Sequence, residues 1–377
     1  MIILGLETSC DETACAILKE EDGAFSVLAD IVSSQVKLHS KWGGVVPNLA
    51  AREHLKNILP VIEKALLKAK ISKKEIDLIA ITNSPGLIPA LLVGVETAKT
   101  LAYLWKKPLI GIHHIEGHIY ANFINEVSAI SKSQFPISKK ILDTKYQIQN
   151  TKIKFPTLCL VVSGGHTQLV LMKKHLQYEI IGETQDDAAG EAFDKVARIL
   201  NLDYPGGPAI SLAAEKSDNK SNNFNIHLPR PMINSKDFNF SFSGLKTAVL
   251  YLTKKNKEKL KDKKFIQAVS KEFQQAIIDV LISKTLSAAN LYHPKTILLA
   301  GGVSANKELR QQLKKAVKKE IPQITFQMPA IKYSGDNATM IASAAFFRYK
   351  EIKNKKILRN SWNNLEAKAN LKLKSNE

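Results

Sequence analysis

His114 and His118 stand one helical turn apart in a stretch that reads as helix, His114-Ile115-Glu116-Gly117-His118. Residues at i and i+4 share a helical face, so both imidazoles can reach one ion. A distant carboxylate would complete the set, and Asp336 is the candidate, in the polar cluster Tyr333-Ser334-Gly335-Asp336-Asn337. Two histidines and one aspartate favour a divalent metal such as iron. The chain has 9 histidines, enough for this spacing to arise in a pair that binds nothing. A zinc protease would place Glu directly after the first His as general base. Here Ile115 takes that position, and Glu116 falls one residue too late, on another face.

Several loops carry residues suited to a phosphorylated or adenylated ligand. Ser163-Gly164-Gly165-His166-Thr167 joins two strands, and paired glycines let main-chain N–H groups approach an anion, although Gly-Gly is also ordinary turn chemistry. The segment from Asp186-Asp187 through Gly190-Glu191 to Asp194-Lys195 opens a helix with clustered carboxylates that the helix dipole would favour in any case. Asp194, one turn beyond Gly190, is placed to accept from a ligand hydroxyl or amine. Pro205-Gly206-Gly207-Pro208 is a rigid turn that can bring backbone to the same ligand. In Gly301-Gly302-Val303-Ser304-Ala305-Asn306 a glycine turn feeds a helix N-terminus, with Ser304 as an alternative simple cap.

The elements that must position these loops occur twice. Residues 1–6 with 15–18, and residues 157–162 with 168–172, read as hairpins around polar turns. Each is later followed by a buried strand, a glycine turn and a long helix: 78–82 then 90–105, and 296–300 then 306–319. The recurrence predicts two homologous α/β lobes with a cleft between them, where ligands bind. A length of 377 residues and a hydrophobic fraction of 45% suit two real cores. The spans expected are 1–125 for the first lobe, 126–155 for a polar linker or insertion, and 156–325 for the second lobe. Residues 326–350 should form a metal-ligand loop and a helix returning to the first lobe, and 351–377 a basic tail loose at its end. An amphipathic helix is expected over 265–289, with Phe265, Val269, Phe273, Ile277 and Leu281 along one stripe.

Composition narrows the setting. The apolar start of the chain meets Glu7 at once and lacks a basic leader, so it reads as a strand and not a signal peptide. No apolar run approaches the ~20 residues of a membrane span. Cys10, Cys15 and Cys159 are odd in number and scattered, which points to a reducing cytoplasm and not to a disulfide framework. Cys10 reads as a small buried thiol in preference to a nucleophile. The net charge of +19 suits a polyanionic partner such as nucleic acid. The excess is mostly lysine, so the run Lys254, Lys255, Lys257, Lys259, Lys261, Lys263 and Lys264 reads as a solvated edge.

Taken in order, these segments resemble one family closely, the tRNA N6-adenosine threonylcarbamoyltransferases (TsaD, or Gcp) of the actin-like ATPase superfamily. The matching stretches begin with Gly5-Leu6-Glu7-Thr8-Ser9-Cys10-Asp11-Glu12-Thr13 and Gly43-Gly44-Val45-Val46-Pro47. They continue through 113–118, 162–169, 186–195 and Ser241-Phe242-Ser243-Gly244-Leu245-Lys246-Thr247 to 301–306 and Asp336-Asn337. The chain departs from the family in a longer 126–155 segment and in its lysine-rich tail. The resemblance implies two actin-like (ASKHA, ribonuclease H-like) lobes around a central cleft. It also implies transfer of a threonylcarbamoyl group from threonylcarbamoyl-adenylate to N6 of the adenosine beside the anticodon of tRNAs reading ANN codons, with release of AMP.

By the same resemblance, His114, His118 and Asp336 would hold one Fe(2+) per subunit. Val161, Val162, Ser163, Gly164, Gly165, Asp194, Gly207 and Asn306 would bind substrate. Asp11 and Glu12, in the first-lobe loop facing the cleft, are the candidates for handling the amine proton. A TsaB-like homologue and a TsaE-like ATPase are the implied partners, with contact through first-lobe helices within 49–70. The competing classes are a metallopeptidase using the histidine pair and an actin-like ATPase without transferase activity.

Overall fold

The computed structural model describes residues 1–124, 153–217 and 224–374. The expected linker 126–155 therefore lies outside the described residues except at its last positions. The first half contains β1 (Ile2–Glu7), β2 (Glu12–Glu21), β3 (Ala24–Ser34), α1 (Val36–His39), α2 (Pro47–Ala69), β4 (Leu78–Ser84), α3 (Ile88–Trp105), β5 (Leu109–His113) and α4 (His114–Tyr120). The second half contains β6 (Thr157–Val162), β7 (Thr167–Lys174), β8 (Gln177–Glu183), α5 (Ala189–Ile199), α6 (Gly206–Glu215), α7 (Ser243–Lys255), α8 (Lys263–Tyr292), β9 (Thr296–Ala300), α9 (Lys307–Glu320) and β10 (Thr325–Gln327). After it come α10 (Ala338–Glu351) and α11 (Ser361–Asn364).

The two sheets share one plan. The first runs β3-β2-β1-β4-β5 and the second β8-β7-β6-β9-β10. In each, the first three strands pair antiparallel and the rest parallel. This identity of order and direction is the physical content of the sequence recurrence, and it gives the two-lobed actin-like fold. Strands β1, β4, β6 and β9 are inner strands covered on both faces, which is why they read as continuous apolar runs. In α8 the stripe Phe265, Val269, Phe273, Ile277 and Leu281 is buried in the second-lobe core.

A shared apolar layer joins the lobes and includes Ile112, Ile115 and Ile119 with Val161, Leu298, Ala300, Met340 and Ile341. Within it α4 packs against α10, and α10 lies on the first sheet, chiefly on β1 and β2. Glycine permits both approaches. A Cβ on Gly5 would stand 2.4 Å from the Ala338 carbonyl, and one on Gly117 would stand 2.7 Å from Ile341 Cδ1. Among the described residues no helix is long and apolar enough to cross a membrane.

The last three residues of the basic tail, where a loose end is expected, lie outside the described residues. Up to Lys374 the tail is docked, with Trp362 edge-on to Tyr103 at 5.0 Å and Leu373 buried in the shared layer. The lysines around them suggest a solvated segment, but Trp362, Leu365 and Leu373 carry enough apolar surface to hold it down.

Candidate metal centre and substrate cleft

β5 ends at His113, and His113 Nδ1 accepts from the Ile115 amide at 3.2 Å to start α4. The helix then presents His114 and His118 on one side, their rings 4.6 Å apart. Asp336 arrives in the turn before α10, whose cap Asn337 accepts from the Met340 amide at 2.9 Å. Asp336 Oδ1 lies 3.4 Å from His114 Nε2 and 3.3 Å from His118 Nε2, and one ligand atom from each residue falls within a 4.8 Å span.

Two observations fit these residues to a metal. Both ring nitrogens of His118 are buried without an aligned hydrogen-bond partner, despite the short distance to Asp336. An unsatisfied buried polar atom is costly, and coordination would satisfy Nε2. The second observation is the outer support of His114. Glu7 is fully buried, its Oε2 lies 3.1 Å from His114 Nδ1, and it accepts from Thr82 Oγ1 at 2.6 Å and the Ser9 amide at 2.5 Å. A carboxylate on Nδ1–H fixes the tautomer that leaves the Nε2 lone pair for an ion.

The electrostatics agree. Burial would raise the Glu7 and Asp336 carboxyls, but His114 outweighs it for both, with His118 adding to the effect on Asp336, and holds them below the usual range. Burial would likewise strip the proton from His114, but Asp336 and Glu7 push its pKa well up. Burial lowers His118. The two carboxylates thus favour positive charge at His114, and a divalent cation would supply the same charge.

Asp11 is buried in the β1–β2 loop, and Glu12 begins β2 with Oε1 accepting from Ser34 Oγ at 3.0 Å. Burial, then Asp336 and Asp11, push Glu12 up to about 9, so at neutral pH it carries its proton. Burial, then Asp11, Asp336 and Glu12, raise the Cys10 thiol well above its ordinary value, which leaves it protonated and unsuited to nucleophilic attack. Glu116 is buried on the far side of α4 and paired with Arg348 at 2.7 Å, so it does not serve as a protease base.

A cavity of about 680 Å³ opens in the second lobe. Its wall brings together Gly164, Asp194, Gly207 and Asn306 from four separate segments, with Phe193 and Val303 as apolar surface. The triad is not part of this wall. The β6–β7 loop links the two, since Gly164 borders the cavity while His166, two residues on, senses the charges of His114 and His118 after the effect of its own burial. Gly164 and Gly165 are open to solvent. Ser163 is buried, and its carbonyl accepts from the Gly190 amide at 3.2 Å. Val161 and Val162 are wholly buried in β6, their side chains in the shared and second-lobe cores, so only their backbone can meet a ligand.

Asp194 Oδ1 accepts from the Gly206 amide at 2.7 Å, and burial raises its carboxyl. Asn306 caps α9 by accepting from the Leu309 amide at 2.9 Å, and donates to Ser211 Oγ and Gln274 Oε1. Ser304 is therefore not the cap; it is buried within the 3-10 turn Gly302–Ala305 that precedes α9. Asp186 also differs from expectation. It accepts from the Phe242 and Ser243 amides and both flanking serine hydroxyls, so it caps α7 and does not serve α5. Sequence reading overlooked Glu7 as a site residue; its one signal is a carboxylate closing an otherwise apolar strand.

The family model for TsaD, tRNA N6-adenosine threonylcarbamoyltransferase, matches residues 26–145 and 140–343. A tRNA N6-adenosine threonylcarbamoyltransferase of Persephonella marina is 44% identical over 354 residues, covering 93% of this chain and 91% of that protein. One from Thermosipho melanesiensis is 48% identical over 346 residues, covering 92% and 94%. Among solved structures, that of T.kodakarensis HypF superposes with a TM-score of 0.53 at 13% identity, over 93% of this chain and 48% of that one. That likeness concerns the fold, while identity near half over nine-tenths of both sequences concerns ancestry, and on it the chain belongs to the TsaD family of tRNA N6-adenosine threonylcarbamoyltransferases.

Proposed function

We propose that this chain transfers the threonylcarbamoyl group of threonylcarbamoyl-adenylate to N6 of the adenosine adjacent to the anticodon, forming t6A and releasing AMP. The observation that carries the reading is the His114, His118 and Asp336 triad, backed by Glu7, across the β6–β7 loop from the adenylate-sized cavity. The donor is a mixed anhydride and already activated, so the protein must orient a weak amine, polarise a carbonyl and stabilise the leaving phosphate. A bound Fe(2+) would supply Lewis acidity and a template for the carbonyl.

The chain's own residues do the rest. Asp194 faces the cavity and can bind a ribose or amine hydrogen. The amides of Gly164, Gly165 and Gly207 stand where no side chain blocks an approaching phosphate. Asp11 and Glu12, side by side in the first-lobe loop, are the groups to receive the proton of the attacking amine. The lysine excess of the chain binds the anticodon arm through its phosphates. A TsaB-like homologue and a TsaE-like ATPase would dock on the first lobe, where α2 leaves Leu55, Leu59 and Leu67 exposed, with Glu63 between the last two.

Purified chain with threonylcarbamoyl-adenylate, unmodified tRNA and those partners should yield t6A on nucleoside analysis. Absence of t6A under these conditions, with donor intact, would overturn the reading. Robust multiple turnover without partners would overturn only the partner part.

A further inference from the structure

β5 is the open edge of the first sheet, and residues 361–374 run along it as a strap. Ser361 Oγ donates to the Leu109 carbonyl at 2.7 Å. Leu365 presses on Gly111, where a Cβ would stand 2.6 Å from Leu365 Cδ1. Asn83 donates to the Glu366 carbonyl at 2.9 Å and accepts from the Lys368 amide at 2.8 Å. The Gly86 amide donates to the Ala369 carbonyl at 3.2 Å, and His113 Nε2 lies 2.9 Å from the Leu371 carbonyl.

Two routes lead from these contacts to His114. In the first, the turn held by Ala369 continues to Leu87, whose amide donates to the Ser9 carbonyl at 2.9 Å, and Ser9 touches both Glu7 and His114 Nδ1. In the second, His113 Nδ1 already accepts from the Ile115 amide, so its proton must sit on Nε2 and be donated to Leu371. The ring is thus fixed at both ends, one on the strap and one on the first turn of α4.

We propose that the strap 365–373 is a positioning element for the metal-ligand helix, with His113 as the residue through which it acts. The metal part rests on the reading above; the mechanical part does not. His113→Asn keeps an acceptor near the Nδ1 position but is too short to reach Leu371. Gly111→Ala pushes on Leu365 and on the Asn83 side chain that holds the Glu366 carbonyl, without touching His113. Lys372→Ala, which removes only the exposed pair with Glu183, serves as control.

Amide exchange over 114–118 in the metal-free chain reads the helix directly, and cobalt(II) titration followed by visible absorption reads the ligand set. Both strap variants should exchange about tenfold faster at these amides, as local opening costs less. Both should bind cobalt(II) about tenfold more weakly, the lower end for loss of outer support. The control should match the parent. Unchanged exchange in both variants would overturn the proposal. Protection lost equally in α8, remote in the second lobe, would mean general destabilisation and would also overturn it. Faster exchange at 114–118 in a chain that binds no cobalt(II) at all would uphold the strap and remove the metal reading instead.

Discussion

Replacing Glu7 with glutamine tests the outer support of the metal centre with little change in volume. Glu7 accepts from the Ser9 amide at 2.5 Å and Thr82 Oγ1 at 2.6 Å, and its Oε2 is 3.1 Å from His114 Nδ1. In the glutamine, if the oxygen keeps Ser9, the amide nitrogen faces two other donors, and His114 retains only Ser9 Oγ at 3.2 Å. Loss of such a partner costs about 10–100-fold in metal affinity, or about 1.4–2.8 kcal/mol at 1.4 kcal/mol per factor of ten. A chelator-competition titration should show that rise in Kd while donor binding in the second-lobe cavity is unchanged.

The pH dependence gives a second reading of the same substitution. His114 is raised in the folded, metal-free chain, so binding an ion displaces a proton and affinity strengthens as pH rises toward the raised value. With Glu7 neutralised, part of that elevation disappears, and affinity should level off at lower pH. The stability of the metal-free chain has opposite signs for the two groups. The His114 contribution is full below the unfolded imidazole value of about 6.5 and is lost as pH rises through the folded value. The Glu7 contribution is present above the unfolded value of about 4.3 and is lost as pH falls through the lowered folded value. A Glu7→Gln variant with metal Kd within twofold of the parent and an identical pH profile would refute the argument.

Three further outcomes follow from the geometry. His114→Ala, His118→Ala and Asp336→Ala should each remove bound metal and t6A formation together with the fold retained; full metal content in any of them would count against the triad. Asp194→Ala should keep the metal, weaken donor binding by calorimetry, and lower stability by about 1 kcal/mol through the lost bond to the Gly206 amide. Neutralising Lys254, Lys255 and Lys257, all exposed, should lower tRNA affinity, and its log–log salt slope should fall by roughly 0.7–0.9 for each phosphate contact removed. Lys259 is spared because its ammonium lies over Phe224 and Phe265. Binding that does not vary between low and moderate salt would refute the electrostatic reading.

The chemistry legible in the chain was that which leaves a periodic trace. A histidine pair at helical spacing and a strand, turn and helix plan stated twice are local patterns, and α8 announces its buried stripe in the same way. Glu7 left no such trace, because one carboxylate after five apolar residues also describes any strand reaching the surface. The α9 cap stayed open between Ser304 and Asn306, both good caps, and only the 3-10 turn Gly302–Ala305, which takes Ser304 into itself, decides for Asn306. Asp186 sits beside α5 in sequence yet caps α7, a pairing across 57 positions that no local rule contains. The strap was hidden by composition, since Lys368, Lys372 and Lys374 alternate with the few apolar residues that dock it and no periodic apolar face stands out.

All three candidate ligands ride on one body. His114 and His118 follow the last strand of the first sheet, and Asp336 precedes a helix that lies on that same sheet, whereas the walls of the large cavity come from the second half of the chain. A change in the angle between lobes would therefore alter the separation of the candidate triad and the cavity without moving the three side chains relative to one another. Metal content would for that reason be a poor measure of the active fraction, since a fully loaded triad says nothing of how far the cavity stands from it.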